Sequence, residues 1–140
     1  MIVLILNKIQ TMENQAQLTD LLSEHEGWQK QILYFKSELK SMKDELGIIV
    51  AKYSPRDVPA SSEHFQNQII LQKDVMDIMR HDFKQFENQV EDAQRLDGNV
   101  SDYLLMMRNA YKIRLNDYDK IFHDLKNEFE MFKRQEAIPA

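Results

Sequence analysis

The sequence predicts an all-α protein, an antiparallel up-down-up bundle of three long helices with coiled-coil-like seams. Three observations predict it. Apolar residues recur in alternating steps of three and four over long stretches, which is the spacing of one helix face. Only three Gly and three Pro occur in 140 residues. A chain with few turn formers has long elements, which suits helices better than strands of about five or six residues. Finally, the breaks between periodic stretches are short, and short connections between long helices make antiparallel neighbours. The competing architecture is a helical pair that completes its core with a second chain.

The first seam reads Leu18, Leu21, His25, Trp28, Ile32, Phe35, Leu39, Met42, Leu46, Ile49, Tyr53 and places helix 1 at about 14–53. At about 1.5 Å per residue this seam is roughly 54 Å long, so other elements must cover it. Gly27 falls on the outer face, where it costs about 1 kcal/mol of helix propensity and leaves the seam intact. Gly47 precedes the β-branched run Ile48-Ile49-Val50, which weakens the last two turns. Leu22 and Leu33 broaden the apolar face beyond the seam.

Residues 1–11 stand apart, and the single bundle domain is drawn at 12–140. The run Ile2-Val3-Leu4-Ile5-Leu6 is shorter than the roughly 20 residues a membrane span needs. It also lacks the preceding basic residue and the following small-residue cleavage site of a signal peptide. Two readings are open: a short buried strand or helix start, or an extension ahead of a native start at Met12.

Ser54-Pro55-Arg56-Asp57-Val58-Pro59-Ala60 breaks the helix, since each proline biases its predecessor away from helical backbone. Ser61 or Ser62 can then cap helix 2, with Glu63 well placed in the first turn. Helix 2, about 61–96, carries the seam Phe65, Ile69, Gln72, Met76, Met79, Phe83, Phe86, Val90, Ala93. Leu71, Val75 and Ile78 form a second stripe beside it. The turn Asp97-Gly98-Asn99 puts glycine where a helix end favours left-handed backbone, and Asn99 can cap helix 3. Helix 3, about 100–136, has the line Leu104, Met107, Tyr111, Leu115, Tyr118, Phe122, Leu125, Phe129, Phe132. Two consecutive steps of four around Tyr111 drift its face away from a strict heptad. The tail Ala137-Ile138-Pro139-Ala140 is expected to fray.

The formal net charge is -5, and Lys and Arg are interleaved with Asp and Glu, so a nucleic-acid partner is disfavoured. With no cysteine, disulfides, thiol catalysis and Cys-ligated metals are excluded. The absence fits a cytoplasmic protein, and no stretch reads as a membrane span.

Of the four histidines, His25 is the sharpest candidate because it occupies a seam position. It could be a metal ligand or proton switch in the core; Glu24, Glu38 and Gln72 are the polar groups that could join it, although Gln72 should lie well along the bundle from it. The plainer reading is a core-edge histidine hydrogen-bonded to a neighbouring helix. Asp77 with His81 and Asp119 with His123 echo one another four residues apart, but each histidine precedes a core residue by two and so faces water. His64, in the first turn of helix 2, has no assigned role. No Glu-x-x-His pair, strained nucleophile turn or Gly-rich phosphate loop occurs, so neither catalysis nor a cofactor has support.

The sequence therefore points to a helical-bundle interaction or scaffolding protein. Its partner is a protein or a second copy, and the interface stripe is Leu71, Val75 and Ile78, with Met106 and Met131 as further adaptable contacts. The alternative is a metal-binding bundle that uses His25 with acidic partners.

Overall fold

The computed structural model describes residues 1–96 and 98–137. Asp97 and the tail at 138–140 lie outside the described residues, and so does the expectation of fraying there. Three helices, α1 (Ile2–Val50), α2 (Ala60–Leu96) and α3 (Asp102–Ala137), form a three-helix bundle, and there is no strand among the described residues.

Packing divides these helices into two compact units, each with a piece of all three. One comprises Met1–Gln31 and Met79–Leu115, the other Ile32–Ile78 and Asn116–Ala140. In the first unit Leu18, Leu21 and Trp28 are buried with Phe83, Phe86 and Val90 and with Leu104 and Leu115. Trp28 stacks on Phe83 at 5.5 Å, and Tyr111 lies 4.9 Å from Phe83 and 5.2 Å from Phe86, centroid to centroid. Such tilted contacts suit the ring quadrupoles. Met107 and Tyr111 are only half-buried, as the drift of the seam at that point requires. At the rim, the Arg108 guanidinium donates to both Glu24 oxygens at 2.7 and 3.0 Å, and Arg114 donates to Asp82 at 2.8 Å.

In the second unit the core is aromatic. Phe35 packs on Phe122 at 4.8 Å and on Tyr118 at 5.1 Å, and Phe65 on Phe132 at 5.0 Å and Phe129 at 5.4 Å. The Tyr118 hydroxyl donates to the Gln72 carbonyl at 3.4 Å, and burial raises its pKa well above the ordinary tyrosine value. Lys126 pairs with Glu38 at 3.1 Å and Lys133 with Glu45 at 2.6 Å. These partners advance together along α1 and α3, so the two run parallel here. Gln72 meets Tyr118 while Phe65 meets Phe132, so α2 runs the opposite way.

The element ends correct several expectations. Residues 2–12 are neither a strand nor buried: α1 runs straight through them. Ile2, Val3, Leu4, Ile5, Leu6 and Ile9 are 47–74% exposed. A helix satisfies its own backbone hydrogen bonds and so needs no sheet partner. At its other end α1 stops at Val50. Bonds from Lys52 to Ile49 and from Tyr53 to Val50, each spanning three residues, tighten the chain before Pro55. Ser61 and Ser62 do not cap α2, because that helix has already begun at Ala60. Ser62 is buried within it, its hydroxyl without a partner. Gly98 does adopt left-handed backbone, with φ 68°, and its N–H donates to the Ala93 carbonyl at 2.7 Å. Asn99 is not the cap of α3. Ser101 directly precedes the helix, and its hydroxyl accepts the Leu104 N–H at 3.1 Å. Asn99, two residues too early, accepts instead from the Asn14 side chain at 3.1 Å.

Candidate functional site

His25 is 1% exposed. The i, i+3, i+4 spacing that buries Leu21 and Trp28 carries it inward as well. Its ring sits among Trp28, Phe83 and Phe86 at centroid distances of 6.0, 6.2 and 6.2 Å. The Nε2 atom faces Glu87 Oε2 at 3.3 Å and the Gln29 side-chain amide at 3.0 Å. Nδ1 is buried with no hydrogen-bond partner. Burial pushes the imidazole pKa below its ordinary value, the Glu87 carboxylate opposes that shift, and Lys84 adds to it. The ring is therefore neutral at neutral pH. The tautomer that donates from Nε2 to Glu87 leaves Nδ1 as an unpaired acceptor, which costs about 1–3 kcal/mol.

The polar groups expected to join His25 do not. Glu24 is taken by Arg108, whose hydrogen bonds hold its carboxyl below the usual range. Glu38 is paired with Lys126, and Gln72 belongs to the second unit, where its backbone carbonyl accepts from Tyr118. The partners are Gln29, one turn along α1, and Glu87 of α2. Glu87 was not legible in the sequence, because the register between helices decides which residue sits opposite His25. Among the described residues no three His, Cys, Asp or Glu side chains come together to hold a metal.

The two Asp-His echoes face water. Asp77 and His81 are exposed, and the exposed His123 lies 3.8 Å from Asp119. His64 is exposed, 3.9 Å from Glu128.

On α2, Leu71 is 50% and Ile78 is 59% exposed, while Val75 between them is half-buried. Leu71 and Ile78 are two turns apart and share a face. Ile70, not singled out from the sequence, is exposed beside Leu71. Leu33 on α1 and Met106 and Met131 on α3 are exposed as well. No described helix is long and apolar enough to cross a membrane. The chain matches no known protein family, and neither curated proteins nor solved structures offer a match.

Proposed function

We propose that this chain is a helical-bundle interaction module of the cytoplasm, which uses an exposed face of α2 to bind a second copy of itself or another protein. The observation that carries this reading is the pair Leu71 and Ile78. Both are large, apolar and at least half exposed, although the seam of the same helix is buried in the core from Phe65 to Val90. Contiguous exposed apolar strips on a folded surface mark contact sites. Two-fold self-association is the commonest way to cover one, because each copy offers the same patch to the other.

Sedimentation at micromolar concentration tests it. The wild type is expected to be a dimer, and Leu71→Glu with Ile78→Glu a monomer of unchanged helix content. A wild type that stays monomeric removes self-association. A dimer indifferent to these substitutions puts the interface elsewhere, with the exposed Leu33, Met106 and Met131 as the next candidates. The metal-binding alternative would rest on His25 and Glu87 alone. Metal analysis of the purified protein decides it: a stoichiometric transition metal would replace the interaction reading.

A further inference from the structure

We infer that the groove between α1 and α2 in the second unit receives an acidic amphipathic helix of a partner protein. The inference rests on the interaction reading but uses a different flank of α2. In heptad terms Lys73 and Val75 lie on opposite sides of the α2 seam.

The groove begins as a cavity of about 530 Å³ floored by Leu39, Ile69 and Met76, with Leu33 on its lip. It continues into a second cavity of about 480 Å³ that shares Lys43, Ile69 and Lys73 and reaches Val50. From Leu33 to Val50 the track is roughly 25 Å long at the helical rise of about 1.5 Å per residue, enough for four to five turns of an added helix. Its walls are helices whose backbone groups are already paired, so a strand would find no edge to extend. A helix laying an apolar face into the groove is the recognition mode that fits.

Charge selects the kind of helix. The two flanks of the α1 seam differ in sign. On the side facing α3, Glu38 and Glu45 are matched by Lys126 and Lys133. On the side facing α2 stand Lys36 and Lys43, joined by Lys40 and, from across the groove, by Lys73. No carboxylate lies within ion-pair distance of these four lysines among the described residues, and Asp74 is the one acidic residue lining either cavity. The chain as a whole is acidic, at -5, yet this apolar track is framed by unpaired positive charge. Flanking charges in a helical seam choose the partner by sign. A helix with an apolar stripe bordered by Glu or Asp complements the track, and a basic helix is repelled. The exposed apolar segment at residues 2–9 of a second copy has the wrong sign, since it carries Lys8 and no acidic residue.

The test uses the full chain and a labelled synthetic peptide of about three heptads, with Leu along the seam and Glu on both flanks. A twin has Lys on the flanks, and a third peptide scrambles the first. Fluorescence anisotropy should show saturable binding of the Glu peptide alone. The combined variant Lys36→Glu, Lys43→Glu and Lys73→Glu should weaken it by at least about tenfold, and Lys120→Glu, a charge reversal on exposed α3, by less than about twofold. These exposed substitutions should leave helix content unchanged. Equal binding of the Lys twin or of the scramble, indifference to the triple variant, or no binding would each overturn the proposal. So would two other outcomes. A wild-type dimer abolished by the triple variant would make a second copy the occupant. Binding to phosphatidylserine vesicles that needs the same lysines, with no peptide bound, would make it a membrane surface. Because the Leu71 and Ile78 substitutions report on self-association separately, the groove can fail while the interaction reading stands.

Discussion

Ile32 and Leu33 are adjacent, aliphatic and equal in carbon count, so truncating each to alanine isolates the effect of direction. Ile32 is fully buried and Leu33 is 52% exposed, because one residue turns the side chain by about 100° around the helix. Ile32→Ala removes three carbons, worth about 0.8 kcal/mol each in lost transfer free energy. The cavity left behind adds to this, and the total falls at about 2–5 kcal/mol. Leu33→Ala removes groups that are already half in water and gains slightly in helix propensity, so it should cost at most about 1 kcal/mol. Urea unfolding followed by far-UV circular dichroism measures both. The midpoint should fall strongly for the first variant and little for the second, with the slope unchanged. If the two cost the same, the seam does not face inward as described. The loss for Ile32→Ala is a large share of the roughly 5–15 kcal/mol that a domain has in total.

Three further outcomes are expected. Gly27→Ala should stabilise by up to about 1 kcal/mol, because the added methyl meets nothing within 4 Å and alanine favours an exposed helix interior. Gly98→Ala should destabilise by about 1–2 kcal/mol, because its φ of 68° strains any side chain although space is open there too. The same denaturation assay reads both signs. Acid should weaken the fold through His25. Its folded pKa lies below the unfolded value of 6.5, so in that window the unfolded chain binds the extra proton. The His25 contribution is therefore complete above 6.5 and lost as pH falls through the lowered folded value. The charged groups around the ring are Glu87, Glu91 and Lys84 of α2. Tyr111 of α3, on the same aromatic cluster, is uncharged there, its pKa raised by burial. His25→Gln should flatten this segment of a stability-against-pH curve, and a curve unchanged by it would refute the assignment.

The inward face of each helix was legible residue by residue. Every seam position from Leu18 to Ile49 is buried, and so is each from Phe65 to Val90, because burial in a helix follows a local period that needs no knowledge of the partner. The slip around Tyr111 was legible for the same reason, and it appears as partial exposure. Capping was read less well. Several polar residues near each break can cap, and which one does depends on where the first turn closes, as Ser101 shows by taking the place offered to Asn99. The surroundings of His25 were half legible: its burial followed from spacing, but Glu87 did not.

By itself the sequence determined that there are three helices, roughly where they break, and which stripe of each turns inward, because steps of three and four encode a face locally. Only the tertiary structure decided what lies on either flank of those stripes. Lys36, Lys40 and Lys43 alternate along the chain with Glu38, Asp44 and Glu45, and Lys73 is thirty residues further on, so the sequence reads there as evenly mixed charge. Folding sorts them. Helical geometry sends Glu38 and Glu45 to one flank of α1 and Lys36 and Lys43 to the other. The arrangement of the three helices then sets α3 against the acidic flank and α2, with Lys73, against the basic one. No local period records which neighbour stands on which side of a seam, so the apolar track framed by lysines exists only once α2 is packed against the basic flank of α1.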